Sequence, residues 1–362
     1  MWTHHEEPSR SDYALFSGLL QAAVLHMNHD TAERPEMPTR LVPERASPGN
    51  RFSSGNSAWA IVLAGGEGRR LRPLVERIHP DGRPKQYAVL VGERSLLRRT
   101  LDRVALAVPP ERTLVVQTRA HTQFFPAEFS RPGAPTILVQ PQDRGTAAGV
   151  LLPALRVAWR DPGATVAIFP SDHFVVDDAA FMRHVVSLLP VVDRHPELLV
   201  LVGAAPDSAE PGYGWIEPGP RVDEASSGEV RAVRRFVEKP SPTEARACLE
   251  NGSLWNTFVM LGRARTLVEA ARRVLPELVG RLARIRPFVD TPAETRAVEH
   301  AYRLSNTANF SQAVLSPSPA RLAVSRLPAL AWSDWGTPER VIQTLRRMGL
   351  APQWLRELAT TA

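Results

Sequence analysis

The 362-residue chain contains one cysteine, Cys248, which excludes a disulfide framework and a cysteine-built zinc site and fits a reducing compartment. No apolar run reaches the length of a membrane-spanning helix, so no membrane partner is expected. Residues 1–10 lack the basic patch and small-residue cleavage site of a secretory signal, which makes the cytoplasm the expected location. No fixed-period repeat occurs, which excludes a solenoid. Lysine is also scarce: of 44 basic residues only Lys85 and Lys239 are lysines. Where arginine has taken every place that either residue could fill, the surviving lysines mark positions that need a compact ammonium on a flexible stem.

What remains is a globular composition, 43% hydrophobic and 23% charged, able to bury a sizeable core. The net charge of +6 favours anionic partners, and phosphorylated small molecules satisfy it. No basic run is interleaved with aromatics, so no nucleic-acid partner is expected. Residues 1–57 mix Pro, Ser, Asn, Glu and Arg without periodicity and read as a disordered extension, with one candidate helix over Tyr13–Met27. Residues 58–350 alternate short apolar runs with helical stretches, and 351–362 read as a C-terminal helix end and tail. Strand-like runs at Ala60–Ala64, Thr113–Gln117, Thr136–Val139, Thr165–Phe169 and Leu198–Val202 alternate with helical patterns at Leu96–Ala107, Ala147–Trp159 and Ala179–Val192. That order predicts an α/β fold, a Rossmann-like, mostly parallel sheet flanked by helices, with ligands beyond the carboxyl ends of its strands. A long helix over Thr266–Ile285 and a closing helix over Pro338–Met348 follow.

The sharpest local feature is the run Leu63, Ala64, Gly65, Gly66, Glu67, Gly68, Arg69, Arg70 directly after the first strand. Its glycines let backbone N–H groups approach a polyphosphate, and Arg70 adds charge-assisted contacts. Leu71 stands where a dinucleotide fingerprint needs its third glycine, and the Gly-Lys-Ser/Thr of a P-loop is missing, so both of those readings fail. Lys85 follows in Arg83-Pro84-Lys85-Gln86-Tyr87.

These stretches resemble the signature of the sugar nucleotidyltransferase family, and Pro-Lys-Gln before an aromatic resembles its mannose-1-phosphate guanylyltransferase branch. Further motifs follow in that family's order: Gln140 to Ala148, Pro170-Ser171-Asp172-His173, Gly212 to Ile216, Phe236 to Pro240, Trp255-Asn256, and Trp332 to Thr337. The resemblance implies nucleotidyl transfer from GTP to mannose 1-phosphate without a covalent enzyme intermediate. It implies Mg²⁺ as cofactor, held by Asp172 and Asp334, and leaves room for a homo-oligomer. Arg70, Lys85, Asp172 and Lys239 become the catalytic candidates. Leu63, Ala64, Gly65, Gly66, Gly68, Arg70, Gln142, Gly145 and Thr146 become nucleotide-binding candidates. Gly214, Glu238, Lys239 and Asn256 become candidates for the sugar phosphate. His121, His173 and Cys248 read as structural. Two stretches depart from the family pattern: Gly145 replaces an asparagine, and Ser311 and Ser316 replace an aspartate and a glutamate. Those departures bear on sugar and base identity and keep alive the same chemistry on another pair; a non-catalytic sugar-nucleotide sensor is a third reading, against which the intact Asp172, Asp334, Lys85 and Lys239 argue.

Overall fold

The run Ala58–Ala64 is apolar throughout and buried on both faces, which suits a central strand. It is β1 of the computed structural model, which describes residues 58–125, 133–330 and 332–360. The expected extension over 1–57 and its candidate helix lie outside the described residues. The next strands are β2 (Thr113–Thr118), β3 (Thr136–Gln140), β4 (Thr165–Pro170), β5 (Phe174–Val175) and β6 (Leu199–Ala204). They are followed by β7 (Gly214–Ala225), β8 (Gly228–Glu238), β9 (Leu254–Arg263), β10 (Leu322–Arg326) and β11 (Trp332–Ser333).

Nine of these form one sheet in the order β3-β2-β1-β4-β9-β6-β10-β8-β7. The first four strands in that order are mutually parallel, as are β6 and β10, whereas β9 runs antiparallel to both β4 and β6. The sheet is therefore mixed where it meets the β7–β8 hairpin. One apolar layer joins the helices Gly145–Arg160, Ala264–Val274 and Pro276–Ala283 to one face, and a second joins Leu96–Val104 and Asp178–Ser187 to the other. This is the expected helix-flanked α/β architecture.

Two helices expected as continuous are broken at prolines. Ala179–Val192 divides into Asp178–Ser187 and Leu189–Arg194, with Pro190 in the first turn of the second piece. Thr266–Ile285 divides at Leu275, whose φ of −127° is not helical, as the residue before Pro276 requires. The helix Glu294–Leu304 lies outside the expected set.

His184 is 1% exposed, and neither ring nitrogen has a hydrogen-bond partner among the described residues. Burial lowers its pKa from 6.5 to about 4, so the folded chain holds it neutral. Its contribution to stability is then fully present above pH 6.5. It is lost as pH falls from 6.5 towards 4, where the unfolded chain takes up a proton that the folded chain refuses. At about 1.4 kcal/mol per unit the loss is on the order of 3 kcal/mol. Denaturant titrations between pH 7 and 4 should show a steeper decline for wild type than for His184→Leu; equal slopes would remove His184 as the source.

Candidate active site

Leu63 and Ala64 end β1 at the carboxyl edge of the sheet, and the glycine-rich loop follows. Its shape is held from below. Gln86 donates through Nε2 to the carbonyls of Ala64 (2.8 Å) and Gly66 (2.9 Å), and Thr118 Oγ1 donates to the carbonyl of Gly65 (2.9 Å). Gly68 sits at φ +62°, and a Cβ there would lie 2.8 Å from the Lys85 Cβ, so the loop and the Lys85 turn nest only because Gly68 has no side chain. The Leu63 carbonyl accepts from Ser171 N (3.1 Å), which ties the loop to the turn carrying Asp172.

Asp172 and Asp334 are 162 residues apart in the sequence and are brought together by a two-stranded ribbon. In it β5 pairs antiparallel with β11, Phe174 opposite Ser333. Each aspartate flanks one strand of the ribbon. Trp335, next to Asp334, is fully buried and stacks on Phe174 with ring centroids 4.3 Å apart. A stacked pair of this kind contributes about 0.5–1.5 kcal/mol beyond its buried area. Trp335 also holds φ +45°, and Lys239 φ +50°, backbone conformations that L-residues rarely adopt. Such strain collects at functional sites, where packing enforces it.

Lys85 is 4% exposed and joins the two acidic turns. Its Nζ lies 3.0 Å from Asp172 Oδ2 and donates also to the Asp334 backbone carbonyl. Burial would raise the Asp172 carboxyl, but the Lys85 ammonium and its hydrogen bond, with His173 nearby, hold it below the ordinary range. Asp334 accepts through Oδ1 from the Tyr213 hydroxyl and from Gly336 N (2.9 Å), while Arg70 lies 3.7 Å from Oδ2. Burial and then the Asp334 carboxylate push the Tyr213 phenol well up, so it stays a proton donor. His173 is held down to about 4, mainly by burial, and packs edge-on against Trp332 at 5.3 Å. Its Nδ1 is buried without a partner among the described residues.

A second cluster forms where β7, β8 and β9 meet. A Cβ on Gly214 would fall 2.8 Å from Glu238 Oε2 and 3.3 Å from the Asn256 Cβ, so these three expected residues converge. Burial raises the Glu238 carboxyl above its ordinary value, and Lys239 with hydrogen bonds from Ser311 and Asn309 partly offsets that rise. Lys239 is exposed beside it, its N–H donating to the Tyr213 carbonyl (3.1 Å).

The third expected group is fastened to the chain around Ala308. Gln142 Nε2 and Arg144 Nε donate to the Tyr302 carbonyl (3.2 and 2.9 Å), and Thr146 Oγ1 accepts from Phe310 N (2.8 Å). Gly145 has φ +75°, and a Cβ there would come within 2.3 Å of the Ala308 oxygen, so asparagine in that place would force the backbone apart. The glycine is thus a packing requirement of this chain. Cys248 is buried in a small cluster with Tyr213, Trp215 and Trp255, and His121 is buried against Tyr87. Gln86, Tyr213 and Asn309 are missing from the sequence-based set, although Gln86 and Tyr213 lie inside motifs that the sequence displays.

The glycine-rich loop, Arg70, Lys85 and the two aspartates thus lie together, and Gly214, Glu238, Asn256 and Lys239 form a second polar cluster. A family model described as nucleotidyl transferase matches residues 59–348. The chain is 31% identical over 281 residues to the xanthan biosynthesis protein XanB of Xanthomonas campestris pv. campestris, a match covering 76% of this chain and 57% of that protein. It is 30% identical over 286 residues to the mannose-1-phosphate guanylyltransferase ManC of Salmonella typhimurium, covering 77% and 58%. This chain thus spans somewhat over half the length of those relatives. The solved structure of a mannose-1-phosphate geranyltransferase from Thermus thermophilus superposes with a TM-score of 0.67 at 30% identity, over 79% of each chain. With the match running from β1 through the helix beyond Asp334, the chain belongs to the nucleotidyl transferase family.

Proposed function

We propose that this protein transfers the guanylyl group of GTP to mannose 1-phosphate, giving GDP-mannose and pyrophosphate. The observation that carries the reading is the bridge from Lys85 to both Asp172 and Asp334, directly beside the glycine-rich loop. A phosphate oxygen of the sugar phosphate forms a bond to the α-phosphorus of GTP, and the bond from that phosphorus to the β-bridging oxygen breaks. The electron pair leaves with pyrophosphate.

Both reactants are anions, so catalysis consists of alignment and charge neutralisation. Among the described residues no group of three or more His, Cys, Asp or Glu side chains is placed to hold a metal. Two carboxylates do fit Mg²⁺, a hard ion that keeps several waters and takes phosphate oxygens alongside one or two protein ligands. Asp172 and Asp334 would hold it, and when bound it would supply positive charge that offsets the charge of the reacting phosphates. The loop N–H groups of Gly65, Gly66 and Gly68, with Arg70, bind the triphosphate. Lys85 stabilises the departing pyrophosphate, and Lys239 holds the phosphate of the sugar phosphate. Glu238, Asn256 and the Gly214 turn orient the sugar, while Gln142, Gly145 and Thr146 line the approach of the base. Tyr213 keeps Asp334 oriented by its hydrogen bond.

A second reading keeps this chemistry and changes the sugar or the base. It is favoured by Gly145, which offers no side-chain amide, and by the uncharged Ser311 that faces Glu238. Pyrophosphate release measured over a grid of nucleoside triphosphates and sugar 1-phosphates, with Mg²⁺, separates the two. A maximum at GTP with mannose 1-phosphate supports the first, and a maximum elsewhere supports the second. Silence across the grid with nucleotide sugar still bound would overturn both in favour of a sensor.

A further inference from the structure

Strand β7 pairs with β8 and also returns to β9, Trp215 opposite Trp255 and Ile216 opposite Leu254. Strands β6, β10, β8, β7 and β9 therefore close a circuit. All five line a cavity of about 750 Å³, within the size range of small-molecule sites. None of Arg70, Lys85, Asp172, Glu238, Lys239 or Asp334 lines it, so it is separate from the candidate active site.

Its polar lining is one-sided. Arg231 donates to the Gly219 carbonyl (2.8 Å) and pairs with Glu229 (2.8 Å), which uses up the acidic residue of the lining. Arg326 has no partner among the described residues. Asn251 accepts through Oδ1 from Ser253 N (3.1 Å) and Oγ (2.7 Å), leaving its amide N–H groups as donors. The Trp332 indole N–H is buried without an acceptor among the described residues. The side-chain groups left over on Arg326, Asn251 and Trp332 are donors, and Arg326 leaves the lining with a surplus positive charge, a combination that suits an anion.

We propose that this cavity is a second binding site, for a phosphorylated small molecule whose phosphate oxygens accept from Arg326 and Asn251. Trp332 gives it a route to the chemistry. The ring packs on His173 at 5.3 Å and on Tyr213 at 6.1 Å, and the residue pairs with Val175 in the ribbon that joins Asp172 to Asp334. A ligand against Trp332 presses on the elements that set those two carboxylates, so occupancy alters turnover. That last consequence rests on the proposed transfer reaction; the binding does not.

Equilibrium dialysis of the full chain with inorganic phosphate, pyrophosphate and mannose 6-phosphate, each labelled, tests the site. A saturable class of binding is expected in wild type and in Lys239→Met, and its affinity should fall at least tenfold in Arg326→Gln and in Asn251→Ala. The probe bound most tightly distinguishes an inorganic from a sugar-phosphate ligand. Three results would overturn the site: no saturable class for any probe, equal binding in wild type and both cavity variants, or loss of the class in Lys239→Met instead. Dialysis reads occupancy without turnover, so a failed transfer reaction and a failed binding site are told apart.

Discussion

Asp172→Asn should lower turnover by about 10²–10³-fold, the usual cost of removing one preorganised electrostatic contact from a reacting centre. The substitution keeps shape, removes the charge and turns one of the two acceptor oxygens into a donor. Its effect falls on the carboxylate that faces Lys85 at 3.0 Å and, in the proposed reaction, on the oxygen-donor pair with Asp334. Because Lys85 is almost fully buried, the variant also leaves an ammonium short of its counter-charge. Unfolding should accordingly be measured beside turnover. A variant that folds normally and turns over at the wild-type rate would remove Asp172 from the catalytic set. Excess Mg²⁺ supplies a further discriminant: if Asp172 holds the ion, the variant should need more of it to reach its residual maximum.

Lys85→Arg should be nearly as damaging, with turnover reduced on the order of 10²-fold. The swap conserves charge, so any loss must come from shape. The Lys85 stem runs against Gly68, and its single nitrogen reaches a carboxylate on one turn and a carbonyl on another. A planar guanidinium is wider, spreads its donors in a fixed fork, and cannot direct one point charge between two turns and a phosphate. If the variant turns over normally, the scarcity of lysine in this chain carries no functional message, because arginine would have served here too. Lys85→Met belongs beside it, since loss of charge and loss of shape then separate.

The glycine-rich loop, the Lys85 turn and the parallel half of the sheet were legible in the sequence, because each rests on local spacing. Gly65 to Gly68 follow an all-apolar strand, and the strands recur between helical patterns at ordinary intervals. The ribbon that assembles the two aspartates was not legible. Its strands are two residues each, too short for any periodicity, and their inner pair, Val175 with Trp332, lies 157 positions apart in the chain. The role of Gln86 was hidden for a related reason. Its motif is visible, but the carbonyls it holds belong to a loop some twenty residues away. Prolines misled at Pro190 and Pro276, where expected helices break. Pro276 breaks the helix expected over Thr266–Ile285, whereas Pro153 lies inside Gly145–Arg160, whose buried residues from Ala147 to Val157 hold it helical. Gly145 reads in the sequence as a lost side-chain contact and in the structure as the only residue that fits beneath Ala308.

The β5–β11 ribbon also fixes when the protein can first work. During synthesis the glycine-rich loop, Lys85 and Asp172 leave the ribosome well before Asp334, whose strand comes almost at the end of the described chain. Until that strand arrives, β5 has no partner, Phe174 has no ring to stack on, and Lys85 lacks one of its two acceptors. A chain that has not reached that strand can therefore display the glycine-rich loop without the paired carboxylates. The later-made strand thus completes the site: only once it has been made can the two aspartates face each other across Lys85.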